Sequence, residues 1–400
     1  MGLGGIFNAW EQCKVLEIAK ETYGGGTPKT SVPEYWQGKI PWIQSSDLII
    51  DSLFNVIPKK HITEVAIKNS AAKYIPSNSI AIVTRVGVGK IVFMPFEYAT
   101  SQDFLSLSNL QVDYNFGVYS IYTMLRRELN NIQGTSIKGI TKSDLLEKNL
   151  IKPTSMNEQQ KIGTFFKQLD DTIALHQRKL DALKLLKKGF LQQMFSESGG
   201  KAPNLRFAGF ETEWEQRKLG KYGEFYYGKS APKWSVTEDA VIPCVRYGEL
   251  YTKFGAKIDR IYSYTNIPKE NLKFSTGYEV LVPRVGENPL EFAKCSWLKI
   301  PNVAIGEMIS VYNTKQNPLF IAIYFRAKMR IEFAKRVEGG NVSNLYYSYL
   351  EDILLSIPSI GEQVRIAKIF SKLDDIINLQ QNKIDKFKNL KKSYLQNMFI

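Results

Sequence analysis

Two long stretches of the chain place apolar residues at alternating steps of four and three. The first runs Ile162, Phe166, Leu169, Ile173, His176, Leu180, Leu183, Lys187, Phe190, Met194. The second runs Ile366, Phe370, Leu373, Ile377, Gln380, Ile384, Phe387, Lys391, Tyr394, Met398. This spacing is the seam of a coiled coil. The polar seam positions, His176 with Gln380 and Lys187 with Lys391, recur at matching places. Polar groups in a seam lower stability and fix register. Ser155-x-x-Glu158 and Ser359-x-x-Glu362 read as capping boxes opening each helix, and Gly199-Gly200 reads as the end of the first. A helix of about 40 residues is about 60 Å long and needs a partner for its seam. The matching polar positions make each helix the other's partner. Leu175, Leu186 and Leu191, with Leu379, Leu390 and Leu395, widen the apolar stripe and point to a second packed surface.

Elsewhere the apolar runs are short. Ser79–Val83 and Glu279–Val282 predict strands that lead into Arg-Val-Gly turns. With frequent Gly and Pro and no other long periodic stretch, these regions read as mixed α/β.

The chain is written twice. Trp10-Glu11-Gln12 returns as Trp214-Glu215-Gln216, Pro28-Lys29 as Pro232-Lys233, and Ser31-Val32 as Ser235-Val236. Ile40-Pro41-Trp42-Ile43-Gln44 returns as Ile242-Pro243-Cys244-Val245-Arg246, and Arg85-Val86-Gly87 as Arg284-Val285-Gly286. Residues 158–195 align with 362–399 without a gap, with about 20 of 38 positions identical. The middles, near 51–80 and 251–279, barely match. A retained frame with divergent middles suggests two copies doing one job on two different targets.

Composition sharpens this only slightly. Lys and Arg number 53 against 39 Asp and Glu, a net charge of +14, which suggests an anionic partner. The ordinary apolar content of 44% argues against disorder. Three scattered cysteines show no disulfide or zinc pattern and fit a reducing cytoplasm. Neither a transmembrane run nor a signal peptide is expected, and two histidines are too few for a His-based centre in each half. No metal site is expected.

Catalytic motifs of DNA-modifying enzymes are missing. Asn317-Pro318-Leu319-Phe320 lacks the second proline of an amino-methyltransferase loop, and no Gly-rich cofactor loop accompanies it. No Pro-Asp or Glu-x-Lys nuclease pattern occurs. Gly87-Val88-Gly89-Lys90 lacks the remaining features of a phosphate loop.

The twice-written unit, from Trp-Glu-Gln through Arg-Val-Gly to Glu-Gln and a helix ending Leu-Gln-x-Met-Phe, resembles the specificity (S) subunit of type I restriction–modification systems. The resemblance covers Trp10 to Phe399. One departure is that the lead-in Arg206-Phe207-Ala208-Gly209-Phe210 is degenerate before Trp10. The resemblance implies an α/β (α+β) target-recognition domain in two copies, each followed by a long helix, with the helices paired as an antiparallel coiled coil. Expected boundaries are 1–152 and 214–357 for the recognition domains, 153–197 and 358–400 for the helices, and 198–213 for a linker. It implies a non-catalytic, cytoplasmic DNA-binding subunit that addresses a bipartite asymmetric double-stranded target, with the helices as a ruler. Two modification subunits would supply S-adenosylmethionine, restriction subunits would add ATP and Mg2+, and this chain would hold no cofactor. A self-contained methyltransferase and a coiled-coil scaffold that binds no DNA remain the alternatives on sequence.

Phosphate contacts position a protein, whereas Arg suits guanine edges and Gln or Asn suits adenine edges. The paired frame positions Lys29/Lys233, Gln44/Arg246, Arg85/Arg284 and Gly87/Gly286 are therefore the first DNA-binding candidates. Lys90, Ser101, Gln102, Gln133, Thr135 and Lys138 are added in the first unit, and Tyr247, Lys253 and Asn341 in the second. Trp10 and Trp214 read as core residues.

Overall fold

The computed structural model describes residues 10–131, 139–196 and 200–399 of the chain. Four helices organise it: α1 (Tyr114–Asn131), α2 (Met156–Gln193), α3 (Pro318–Lys328) and α4 (Ile360–Met398). The chain divides into two compact units, and the division cuts both long helices. Unit 1 is 1–177 with 382–400, and unit 2 is 178–381. The expected boundaries set the helices apart as segments of their own, 153–197 and 358–400. The end of each helix completes the other repeat's core.

In unit 1 a four-stranded antiparallel sheet runs in the order Ala19–Gly24, Phe104–Leu110, Ser79–Val83, Ile91–Met94. Its central strand is buried on both faces, as alternation demands. Ile80 and Ile82 pack toward α1, while Ala81 and Val83 face a second cluster with Ile43, Met94 and Phe104. A side sheet joins Lys60–Ile62, Ile40–Ile43 and Ala99–Thr100, the last pair parallel. Trp10–Lys14 pairs antiparallel with Asn149–Pro153 immediately before α2.

Unit 2 repeats this plan. Its main sheet runs Gly223–Tyr227, Ile309–Thr314, Glu279–Pro283, Ser296–Leu298, Lys257–Ile258. Its side sheet joins Ser263–Thr265, Ile242–Val245 and Ala304–Ile305. Glu215–Lys218 pairs with Leu354–Ile357 before α4. A further small sheet of Val285–Gly286, Ser343–Asn344 and Glu338–Gly339 is added in this unit.

The same cluster of aromatic rings closes each core. In unit 1, Phe399 lies 5.3 Å from Phe116 and 5.6 Å from Phe166, and Trp10 meets Phe116 edge-on at 6.3 Å. In unit 2, Phe195 lies 5.5 Å from Phe320 and 5.8 Å from Phe370, and Trp214 meets Phe320 at 6.1 Å. Burying Met194 and Phe195 explains why α2 stops at Gln193 rather than at Gly199-Gly200. The chain turns there into the core, and the Leu205 amide donates to the Gln193 carbonyl at 2.9 Å.

Within each unit the helix segments run antiparallel, and the Lys seam positions make ion pairs. Lys391 donates to Asp170 at 2.5 Å in unit 1, and Lys187 pairs with Asp374 in unit 2. His176 stacks on Phe387 at 5.5 Å. Ile162, Phe166 and Leu180, with Ile366, Phe370, Leu373, Gln380 and Ile384, are buried, whereas Leu169, Ile173, Leu183 and Ile377 are half-buried. One seam assignment shifts. Tyr394 is exposed and packs edge-on against Phe165, and Leu395 takes the buried place. Leu175, Leu186, Leu379 and Leu390 are exposed.

The Glu-Gln pair that opens each long helix has a tertiary role. Gln159, buried, accepts from the Asp113 amide at 3.0 Å and donates to the Pro153 carbonyl at 2.8 Å. Gln363 likewise accepts from the Asn317 amide at 3.0 Å and donates to the Pro358 carbonyl at 2.8 Å. Asp113 and Asn317 cap α1 and α3, bonding the amides of Phe116 and Phe320 at 2.9 Å each. Asn317-Pro318 is thus a helix start, with Pro at a position that needs no donor. Glu158 accepts the Trp10 indole N–H at 3.1 Å. Glu362, 1% exposed on its side chain, is held by both Nε and Nη2 of Arg206 at 3.0 and 2.7 Å. Within the segment read as a linker, Arg206 and Phe207 are therefore anchored on unit 2. A buried carboxylate needs such a counter-charge.

Candidate nucleic-acid interface

One short loop in each unit gathers the paired frame positions. In unit 2 it is Ile305–Ile309. Ile305 carbonyl accepts from the Lys229 amide at 2.9 Å, and the Gly306 amide donates to Val245 at 2.9 Å. Glu307 donates to Ser230 at 3.0 Å. The Met308 and Ile309 carbonyls accept from the amides of Arg284 and Gly228, at 3.1 and 3.0 Å. The turn leading to Lys233, the strand end before Arg246, and Arg284 thus meet at one edge. In unit 1 the residues from Thr100 to Asp103 do the same. Thr100 accepts from Gly26 at 2.8 Å, Ser101 donates to Ile43 at 2.9 Å, and Asp103 accepts from Thr84 at 2.7 Å. Thr27 Oγ1 also donates to Gln102 Oε1 at 2.7 Å. The close approach here requires Gly25, since a Cβ would lie 2.0 Å from the Ser101 carbonyl oxygen.

Gln44 and Arg246 stand at equivalent turns. The Gln44 amide donates to Asp47 and the Arg246 amide to Glu249, both at 3.0 Å. The buried carboxylates hold the turns while the first residue stays half-exposed. Lys29, Lys233 and Arg85 are exposed, as are Gln102, Tyr247 and Asn341, the last at a hairpin tip.

Other candidates have structural partners. Lys90 Nζ donates to the carbonyls of Ser45 and Leu48 at 2.8 Å each, which ties it to the turn after Gln44. Ser101 is buried in the gathering loop. Lys253 pairs with Glu249 at 3.4 Å and lies 5.3 Å from the Tyr262 ring. Arg284 lies 4.8 Å from the Tyr227 ring, half-buried, with Nη2 3.2 Å from Met308 Sδ. Gly87 adopts φ +88° in a turn, whereas Gly286 sits in a strand where a Cβ would meet the Tyr251 hydroxyl at 2.7 Å. The two glycines therefore have different roles. Gln133, Thr135 and Lys138 lie outside the described residues.

Lys142 and Lys73 have no matching signal in the sequence repeat and come beside Arg85 only in the fold. Burial, and then the charges of Arg85 and Lys73, hold the Lys142 ammonium below the ordinary lysine range. Clustered like charges of this kind suit a polyanion, because the phosphates relieve the repulsion. Only the fold could have brought these residues together. Unit 1 also contains a groove of about 870 Å3, whose lining includes Ile50, Phe54, Arg127, Lys388 and Lys392 together with Arg126, Lys167 and Lys391, which pair with the lining carboxylates Asp51, Asp171 and Asp170.

Residues 8–185 and 211–389 each match the type I restriction modification DNA specificity domain. The chain belongs to that family. It is 24% identical over 368 residues to the type I restriction enzyme MjaIX specificity subunit of Methanocaldococcus jannaschii, covering 89% of this chain and 84% of that one. It is 32% identical over 174 residues to the EcoR124I/EcoR124II specificity subunit of Escherichia coli, covering 39% and 40%. The S subunit crystal structure from M. genitalium superposes with a TM-score of 0.63 at 15% identity, covering 100% of this chain and 98% of that one. As a type I specificity protein, the chain recognises a DNA target and is not itself the enzyme of the system. Among the described residues no His/Cys/Asp/Glu group could hold a metal ion, and no helix is long and apolar enough to cross a membrane.

Proposed function

We propose that each unit reads one half of a bipartite, asymmetric double-stranded DNA sequence through its gathered edge. The observation that carries this is the loop in each unit that brings the paired frame positions together. Gln44 and Arg246 occupy one structural place with two different readers, which suits unequal half-sites. Lys29, Lys233, Arg85, Lys142 and Lys73 would hold phosphates, which position without specifying.

The same reading extends to partners. Two modification subunits would bring S-adenosylmethionine, and restriction subunits would bring ATP and Mg2+, in the cytoplasm. The exposed leucines of α2 and α4 and the cationic, apolar groove of unit 1 support docking of acidic amphipathic segments from those subunits.

The deciding experiment is methylome sequencing of a host that carries this chain with its methylating partner, in wild-type and Arg246→Ala forms. A bipartite motif is expected, with discrimination relaxed at one position of one half. A lost bidentate Arg–guanine contact is worth about 1–3 kcal/mol. A motif that stays unchanged, or that degrades equally in both halves, would overturn the assignment.

A further inference from the structure

Among the described residues the most exposed aromatic side chain is Trp234, at 72%. The other five tryptophans are packed or bonded. Trp10, Trp36, Trp42 and Trp297 donate to Glu158, Lys29, Gly26 and Gly277, and Trp214 is buried. No ring contact or hydrogen bond within the described residues accounts for Trp234. A solvated indole of this size leaves a large, flat apolar face free to be covered.

Its backbone is nevertheless held firmly. Trp234 sits in the turn Lys233–Ser235. Ser235 is buried; its hydroxyl donates to the Pro232 carbonyl and accepts from Thr265 Oγ1, both at 2.8 Å. The Asn266 amide donates to the Ser235 carbonyl at 3.1 Å. Just upstream, Ser230 and Ala231 adopt φ values of 64° and 61°, a left-handed conformation that non-glycine residues keep only when their surroundings impose it. The Glu307 amide bonds the Ser230 carbonyl, and Ala231 is buried. The strained turn therefore belongs to the edge that also carries Arg246. The exposed Lys233 precedes the indole directly. The equivalent residue in the first repeat is Thr30, which has no ring.

We propose that Trp234 is an aromatic wedge of unit 2, stacking on a base at the edge of its half-site while Lys233 holds a neighbouring phosphate. A flat ring beside a cation matches the two faces of a nucleotide, and side chains of this kind unstack a base step on insertion. The inference rests on the DNA reading of the unit 2 edge. It gives the second half-site a contact that the first lacks.

The test uses the full chain assembled with its methylating partner, and duplexes carrying 2-aminopurine in turn at each position in and beside the second half-site. The wild type should raise 2-aminopurine emission at one position. Trp234→Ala should lose that signal and about tenfold in affinity, the scale of one stacked base. Trp234→Phe should keep most of both, and Tyr278→Ala, an exposed aromatic away from this turn, should match wild type. Wild-type affinity and signal in Trp234→Ala would overturn the wedge. So would a Trp234→Ala chain that assembles more weakly with its partner but binds DNA normally once assembled, because Trp234 would then be a protein contact. A wild-type complex that binds every duplex alike would sink the underlying DNA reading, and the wedge with it.

Discussion

Phe399 belongs to the second repeat in sequence, yet its ring completes the core of unit 1. It is 4% exposed and sits between Phe116 and Phe166 in a cluster that also holds Leu395. Phe399→Ala should therefore destabilise the first recognition unit and spare the second. Truncating a buried phenylalanine costs about 3–5 kcal/mol, lost transfer and cavity together. At about 1.4 kcal/mol per factor of ten, opening of unit 1 becomes about two to three and a half orders of magnitude more frequent. Native-state hydrogen exchange read by peptide reports this directly. Peptides covering Ser79–Val83 and Phe104–Leu110 should exchange faster, while Glu279–Pro283 and Ile309–Thr314 keep their protection. Phe195→Ala should give the mirror result, because Phe195 fills the same place between Phe320 and Phe370 in unit 2. If each variant instead loosens the unit that precedes it in sequence, the exchange of helix ends between cores is wrong.

Two further outcomes are expected. Gln363→Leu leaves the Asn317 amide and the Pro358 carbonyl without their buried partner, a cost of about 1–3 kcal/mol; thermal unfolding should show a clear drop in midpoint, and a shift no larger than that of exposed Asn378→Ala would refute the role. Burial raises the thiols of Cys13, Cys244 and Cys295, Cys244 to about 11, which disfavours the reactive thiolate; the native protein at pH 8 should give no fast reaction with a disulfide reagent, whereas the unfolded chain should titrate three thiols, and rapid native labelling would contradict that burial.

The sequence determined the repeat, the two long helices and most of their seam, because these are periodic features written in local residue spacing. It also named the frame positions that would meet, since Lys29/Lys233, Gln44/Arg246 and Arg85/Arg284 recur. It could not say what gathers them. The loops at Thr100–Asp103 and Ile305–Ile309 act through backbone amides and carbonyls, which leave almost no mark on residue identity. For the same reason Lys90 read as a DNA-binding candidate, although two carbonyls hold its ammonium. A periodic stripe states which face of a helix is apolar and not which core buries it. That Phe399 closes unit 1, that Phe195 ends α2 early in unit 2, and that Leu395 displaces Tyr394 were decided by the shapes of the surrounding cores. Long-range packing likewise placed Arg206 on Glu362 and left Trp234 in solvent, since burial is a property of the fold and not of the residue.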